Sequence, residues 1–103
     1  MSHLSQGDII KISGFRNALF LVVSKNAFIR TTGVFHVCPI IKNLPEGPIH
    51  ILVRGTQGTQ GTVICEQMKM IDPAARACRK TDWISYGQIM NVSDALQGIF
   101  EHD

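Results

Sequence analysis

The stretch Gly61-Thr62-Val63-Ile64-Cys65-Glu66-Gln67-Met68-Lys69-Met70-Ile71-Asp72 decides the fold. It opens with the β-branched run Thr62-Val63-Ile64, which suits a pleated, half-buried surface. It continues as an alternation, with Cys65, Gln67 and Lys69 predicted on one face and Glu66, Met68 and Met70 on the other. The change of pattern at Cys65-Glu66 predicts a bulge or sharp corner, where a strand leaves one sheet and enters another. Small barrels close by such corners, so the segment reads as the pivot of a compact β fold.

Upstream of the pivot, Arg54-Gly55-Thr56-Gln57-Gly58-Thr59-Gln60-Gly61 repeats G-T-Q and reads as a mobile hairpin loop. It is not a phosphate cradle, because neither a lysine-serine or lysine-threonine pair nor a helix follows its glycines. Ile49-His50-Ile51-Leu52-Val53 is a strand, and Asn43-Leu44-Pro45-Glu46-Gly47-Pro48 is a loop by its turn residues. Val34-Phe35-His36-Val37-Cys38-Pro39-Ile40 is a strand paired with the nearly all-apolar Ala18-Leu19-Phe20-Leu21-Val22-Val23, which is predicted to be central and buried on both faces. Pro39 lacks a ladder donor, so pairing is expected to end or bulge there. Ser24-Lys25-Asn26-Ala27-Phe28 is predicted as a helical turn capped by Ser24, and Thr32-Gly33 as a turn. Asp8-Ile9-Ile10-Lys11-Ile12 is the first strand, ended by Ser13-Gly14.

Downstream, Asp72-Pro73-Ala74-Ala75-Arg76-Ala77 is predicted as one short helical turn with Asp72 as cap and Pro73 at its first position. Cys78 falls in a polar connector. Ile84, Ile89, Val92, Ala95, Leu96, Ile99 and Phe100 recur mostly at three- and four-residue steps, which predicts a C-terminal helix with one apolar stripe. Strands first and a packed helix last give a mainly β fold with a C-terminal α element: a small, partly open barrel closed by that helix. Met68, Met70 and Met90 read as core filler, and so does Phe100, whereas Trp83 reads equally as core or as an anchor for a partner or twin subunit.

A chain of 103 residues and 11.4 kDa is read as one domain, residues 1–103, with a single modest core. Hydrophobic content of 45% against 17% charged excludes a disordered chain. No apolar run approaches bilayer length, and Met1-Ser2-His3-Leu4-Ser5-Gln6 lacks the charged and apolar regions of a signal peptide. The expectation is a cytoplasmic protein with no membrane partner. Cys38, Cys65 and Cys78 have no C-x-x-C spacing, and Cys38 and Cys65 lie in apolar strands, so reduced buried thiols are expected. His36 and Cys38 share one strand face, but no further ligand stands at a known spacing, so neither metal nor cofactor is expected.

The net charge of +2 is too small to argue nucleic-acid binding by itself. Its distribution says more. Residues 1–55 carry six cations against two carboxylates, and residues 56–103 carry four against six. The first half is thus the candidate basic face for phosphate or an acidic partner, with Arg16, Lys25, Arg30 and Lys42 as the nucleic-acid contacts. Scattered solubilising charge gives the same count.

Four stretches, in order, carry a family resemblance. The pivot resembles the G-V-I-L-C-E-Q-V-K-x-I/L-D signature of the MazF/PemK toxins of type II toxin–antitoxin systems. Gln6-Gly7-Asp8-Ile9-Ile10 resembles their opening Q-G-D-I strand. Leu21-Val22-Val23-Ser24-Lys25-Asn26-Ala27-Phe28 followed by Thr32-Gly33 resembles L-V-I/V-S-N-x-x-F-N-x-x-T-G. Val37-Cys38-Pro39-Ile40 and Pro48-Ile49-His50-Ile51 resemble V-C-P-I-T-S and P-x-H-V. The resemblance implies a small SH3-like barrel of the CcdB/PemK type and a homodimer neutralised by a small acidic antitoxin. It also implies metal-independent endoribonuclease activity on single-stranded mRNA.

Such cleavage needs a base for the 2′-OH, a cation for the crowded phosphorane and an acid for the leaving oxygen. The family places an arginine in H-R-P-A-L-V-I/V-S and a threonine in P-I-T-S. Alignment on Ser24 and on Pro39-Ile40 puts Ala18 in the arginine position and Ile41 in the threonine position. Neither side chain can donate a hydrogen bond. The short Ser13-Gly14-Phe15-Arg16-Asn17 also replaces the family's long loop. The substitutes at hand are Arg16 and Lys42 as cations with His50, or His36, as acid/base. The plainer reading makes Arg16 and Lys42 solvated loop charges and the histidines pleat residues with local hydrogen bonds. Two rival functions need no catalysis. One is a protein target of the DNA gyrase kind, as for the related CcdB poisons, although Ala95-Leu96-Gln97-Gly98-Ile99-Phe100-Glu101-His102-Asp103 does not end in their W-G-I. The other is simple nucleic-acid binding, against which the lack of a stacking aromatic cluster counts.

Overall fold

The computed structural model describes residues 3–101; Met1, Ser2, His102 and Asp103, and with them the ends of the two terminal segments read above, lie outside the described residues. The elements run β1 (Asp8–Ile12), β2 (Leu19–Val22), α1 (Asn26–Thr32), β3 (Phe35–Ile41), β4 (His50–Arg54), β5 (Gln60–Ile64), a 3-10 turn (Cys65–Gln67), β6 (Lys69–Ile71), β7 (Cys78–Trp83) and α2 (Tyr86–Phe100). The strands form one antiparallel sheet in the order β4-β5-β3-β2-β1-β7, with β6 pairing β3. The fold is therefore mainly β with a C-terminal helix, and the sheet is not closed by strand pairing.

Strand alternation sends side chains to two separate cores. Ile9, Leu21, Cys38, Ile40, Val53 and Val63 point to one face and meet Val92 of α2. Ile10, Ile12, Phe20, Val22, Phe35 and Val37 point to the other, where the curled sheet folds over Ile71. β2 feeds both, with Leu21 on one side and Phe20 and Val22 on the other, as its continuous apolar run predicts. A fully buried isoleucine contributes about 1.5 to 3 kcal/mol of burial free energy. Ile9 and Ile10, adjacent and both 0% exposed, therefore hold the two cores to one strand.

The pivot turns as its sequence predicts, but by a 3-10 turn. β5 pairs with Ile40 and Ile41 of β3, the turn Cys65–Gln67 follows, and β6 pairs with Phe35, His36 and Val37. The alternation expected across Cys65 to Met70 is broken by this turn: Cys65 is buried while Glu66 and Gln67 are both exposed. Pro39 lies in the gap between the two partners of β3. Pairing with β2 runs straight through it, with Pro39 opposite Phe20. The interruption thus falls on one edge of β3 and not on the other, because a residue of a strand directs its backbone groups to a single neighbour.

Several expectations change. Ser24 does not cap α1. Its Oγ accepts the His36 backbone N–H at 2.5 Å and lies 3.0 Å from His36 Nδ1, so it ties the strand and leaves Lys25 at the cap position. Gly33, at φ 75°, closes α1 by donating its N–H to Ile29 O. The 72–77 segment, by contrast, is the short capped turn its sequence predicts: Asp72 Oδ1 accepts the Ala74 N–H at 2.9 Å, and Asp72 O accepts the N–H groups of Ala75 and Arg76 at 3.0 and 3.2 Å. Cys78 begins β7, a strand hidden in the polar run Cys78-Arg79-Lys80-Thr81-Asp82-Trp83, which pairs only with β1 and needs no apolar face on its outer side. Along α2, Ile89, Ala95 and Leu96 pack beside Val92, but Phe100 is 70% exposed and Met90 47%. Met70 is also exposed, so neither methionine nor Phe100 fills a core. No helix among the described residues is long and apolar enough to cross a membrane.

Candidate functional site

The β2–β3 register sets Leu19 opposite Ile40. Ala18 immediately precedes Leu19 and Ile41 immediately follows Ile40, so both stand at the end of this ladder, just past its last pair. The two positions that the resemblance assigns to arginine and threonine are therefore neighbours at one sheet end, and both carry aliphatic side chains. Ala18 is exposed and Ile41 is 44% exposed, so neither is withdrawn into the core.

Beside them lies an open hollow of about 510 Å³, floored by Leu19, Leu44 and Leu52 and walled by the Gly58–Thr62 strand tip, with Lys42 on its rim. Arg16 stands in the turn that leads into β2, at φ 50°, and is exposed. That turn is closed by the Ala18 N–H to Phe15 O at 3.0 Å. Lys42 and the Arg16 turn thus share the Ala18–Ile41 end. His50 does not join them directly. It opens β4, two strands from β3 and so about 10 Å across the sheet. Its Nε2 contacts both Glu66 oxygens, at 3.1 and 2.9 Å. This bond from His50 is the main cause that holds the Glu66 carboxyl below its ordinary range.

The remaining candidates lie elsewhere. Lys25 precedes α1 and Arg30 sits in its last turn, where it lines a second hollow of about 790 Å³ with Ile29, Phe35, Pro73 and Cys78. His36 is held by Ser24 and by the Phe28 ring at 5.2 Å, the local hydrogen bonding of a pleat residue. Burial pushes the Cys38 thiol up to about 12, helped by Cys65 and then Glu66, and burial raises Cys65 and Cys78 as well, so none is a ready thiolate. Among the described residues no three histidine, cysteine or carboxylate side chains converge on a metal position.

Three groups escape a linear reading. Glu66 is the partner of His50. Lys69 and Arg76 each lie against the Phe15 ring, with Lys69 Nζ 4.9 Å and the Arg76 guanidinium carbon 5.0 Å from its centroid. Asp82, fully buried, accepts the N–H groups of Gln57 (2.8 Å), Thr59 (3.0 Å) and Trp83 (2.8 Å). Burial alone would raise its pKa; these hydrogen bonds outweigh that and hold it below the ordinary aspartate range. The G-T-Q hairpin is thereby pinned, not mobile, and forms a fixed wall of the first hollow. The only sequence hint was an aspartate in a strand of otherwise exposed polar residues.

The same architecture recurs in solved structures. A chain of the MazE–MazF complex from Deinococcus radiodurans superposes with a TM-score of 0.82 at 17% identity, over 96% of this chain and 97% of that one. An endoribonuclease from a mycobacterial species gives 0.77 at 15% identity, over 95% and 91%. A mycobacterial endoribonuclease solved with its cognate antitoxin gives 0.77 at 13%, over 99% and 100%. At such identities the likeness shows the fold alone. No curated protein matches the sequence. The family model for PemK-like, MazF-like toxins matches residues 7–100, from the strand that opens the sheet to the end of α2. With the sheet order, the pivot and the helix all inside that span, the chain belongs to the PemK-like, MazF-like toxins of type II toxin–antitoxin systems.

Proposed function

We propose that this chain acts as a toxin by holding single-stranded RNA without cutting it at the family position, and that a small acidic antitoxin neutralises it. The observation that carries this reading is that Ala18 and Ile41 stand at one end of the β2–β3 ladder, two aliphatic groups where the family resemblance expects phosphate-handling ones. Family membership supports the RNA target and the antitoxin, and Lys42 at the hollow, with exposed Arg16 in the turn before β2, suits both. The test is purified protein incubated with a long RNA in chelator. Intact RNA with retained binding and growth arrest upholds the proposal; discrete fragments refute it and give the chemistry to Arg16 and Lys42, with His50 oriented by Glu66.

A second reading, a protein target or a twin subunit, is favoured by α2. Tyr86, Met90, Ile99 and Phe100 are exposed along it, and Trp83 is exposed just before it. Sedimentation of the free protein separates the two: a homodimer that buries Tyr86 protects its fluorescence, whereas a monomer leaves this face free for a gyrase-like target.

A further inference from the structure

We propose that the second hollow, between α1 and the turn that joins β6 to β7, is a binding site for a small amphipathic carboxylate of the size of a medium-chain fatty acid. Among the described residues β6 pairs with β3 alone and β7 with β1 alone, so no ladder closes the sheet between Ile71 and Cys78. The second core reaches the surface in that gap. Buried Phe35 forms the floor of the hollow, and the partly buried Leu4, Ile29 and Cys78 rise from it as walls. Its volume of about 790 Å³ falls in the range of small-molecule sites, which favour the mouths of barrels. The site is independent of the RNA reading, because Phe35 and Ile41 stand at opposite ends of β3, about 20 Å apart.

The helix α1 supplies the polar side. Asn26, Ile29, Arg30 and Gly33, spaced three, one and three apart, all line the hollow, so one face of α1 looks over it. No residue of α1 is buried, although Ile29 is apolar and lies on that face; an occupant of the hollow covers it. Asn26 Oδ1 accepts the Gln6 N–H at 2.8 Å, which fixes the amide and leaves its NH2 group to donate. Arg30 is exposed and, among the described residues, takes part in no ion pair. No carboxylate belongs to the described lining, so the polar side offers hydrogen-bond donors and one permanent positive charge. A guanidinium fork beside an amide donor matches a carboxylate, which accepts two parallel bonds. Phe35, Ile29, Leu4 and Pro73 match an alkyl chain. A nucleotide is the poorer fit, because one cation meets several phosphate charges and the polar edges of a base face an apolar floor.

The experiment uses Cys78 as reporter, since Cys38 and Cys65 are buried and Cys78 is half-buried in the wall of the hollow. Alkylation of the thiol by iodoacetamide is followed by mass spectrometry with and without octanoate, and calorimetry measures binding directly. Octanoate is expected to slow the alkylation several-fold at saturation. The uncharged 1-octanol should bind at least about tenfold more weakly, for want of the charge-assisted bonds. Arg30→Gln, a change to an exposed side chain, should remove that difference and leave the melting midpoint in place. Ala74→Trp, which fills the hollow from its exposed turn, should abolish protection by either compound. Absence of octanoate binding, octanol that binds as tightly as octanoate, or full octanoate affinity in Arg30→Gln would each overturn the proposal. So would a dimer in sedimentation whose formation shields Cys78 without ligand, because a second copy of the chain then fills the hollow.

Discussion

The Asp82 carboxylate lies against the Cα of Gly55, so closely that a Cβ at residue 55 would overlap it. This contact joins the edge strand β7 to the β4–β5 hairpin at the far end of the sheet order. Three N–H donors converge on the carboxylate, and Thr56 adds a bond from its N–H to Trp83 O at 2.8 Å. Where strand pairing leaves the sheet open, one buried side chain fastens it.

Gly55→Ala is expected to destabilise the protein by about 2 to 4 kcal/mol, because the overlap falls on a buried, fully bonded carboxylate that cannot move aside. Asp82→Ala, which leaves the Gln57 and Thr59 donors unsatisfied, should cost a similar amount, about 3 kcal/mol. Urea unfolding measures both. Because the two changes strike one contact, the double variant should lose less than the sum of the singles; full additivity would show that Gly55 and Asp82 are not coupled.

The lowered pKa of Asp82 makes an acid limb. In the unfolded chain the group titrates near about 3.9. Between that value and its lower folded value the unfolded state binds the extra proton, so stability falls as pH drops through this window. Above it the contribution is complete and constant. Asp82→Asn should therefore be less stable than wild type at neutral pH, and the gap should narrow on acidification below the ordinary aspartate range. A gap that stays constant down to that acidity contradicts the assignment.

Restoring the family groups tests the candidate site from the other side. Ala18→Arg with Ile41→Thr puts a guanidinium and a hydroxyl at the same end of the β2–β3 ladder, each next to its last pair, Leu19 and Ile40. RNA cleavage in chelator should rise by about 100-fold over wild type, the scale of one well-placed transition-state donor. A folded but inert double variant would locate the larger defect in the short Ser13–Asn17 turn.

The outer edge of β4 is plugged by side chains. Glu46 accepts the Leu52 N–H at 3.1 Å, and Gln88 accepts the Arg54 N–H at 2.6 Å while donating to Arg54 O at 3.0 Å. Such edges otherwise recruit other strands. Glu46→Ala/Gln88→Ala should lower stability by about 2 kcal/mol and cause concentration-dependent association, followed by light scattering. Double-variant protein that stays as dispersed as wild type would show that the plugs do not protect the edge.

The parts legible from the chain were those governed by local pattern. The run Leu19 to Val22 announced a central strand, because only a strand covered on both faces is apolar at every position. Gly61 to Asp72 announced a corner, because its β-branched run stops at Cys65-Glu66. β7 was not legible, since an edge strand with solvent on its outer side carries the composition of a loop. Nor was the exposure of Met70, Met90 and Phe100, because hydropathy records what a side chain prefers and not whether a partner surface exists to cover it.

By itself the sequence determined a β fold with a C-terminal helix, the family, and the presence of Ala18 and Ile41 where phosphate-handling groups are expected. Each depends on residue type and spacing along the chain. Only the tertiary structure decided that Ala18 and Ile41 stand at one end of the β2–β3 ladder, that Glu66 holds His50, that Asp82 pins the glycine-rich hairpin, and that Lys69 and Arg76 both lie against Phe15. Those are contacts between residues up to dozens of positions apart, fixed by strand register and by the packing of two cores, and charge counted along a chain cannot anticipate charge brought together in space.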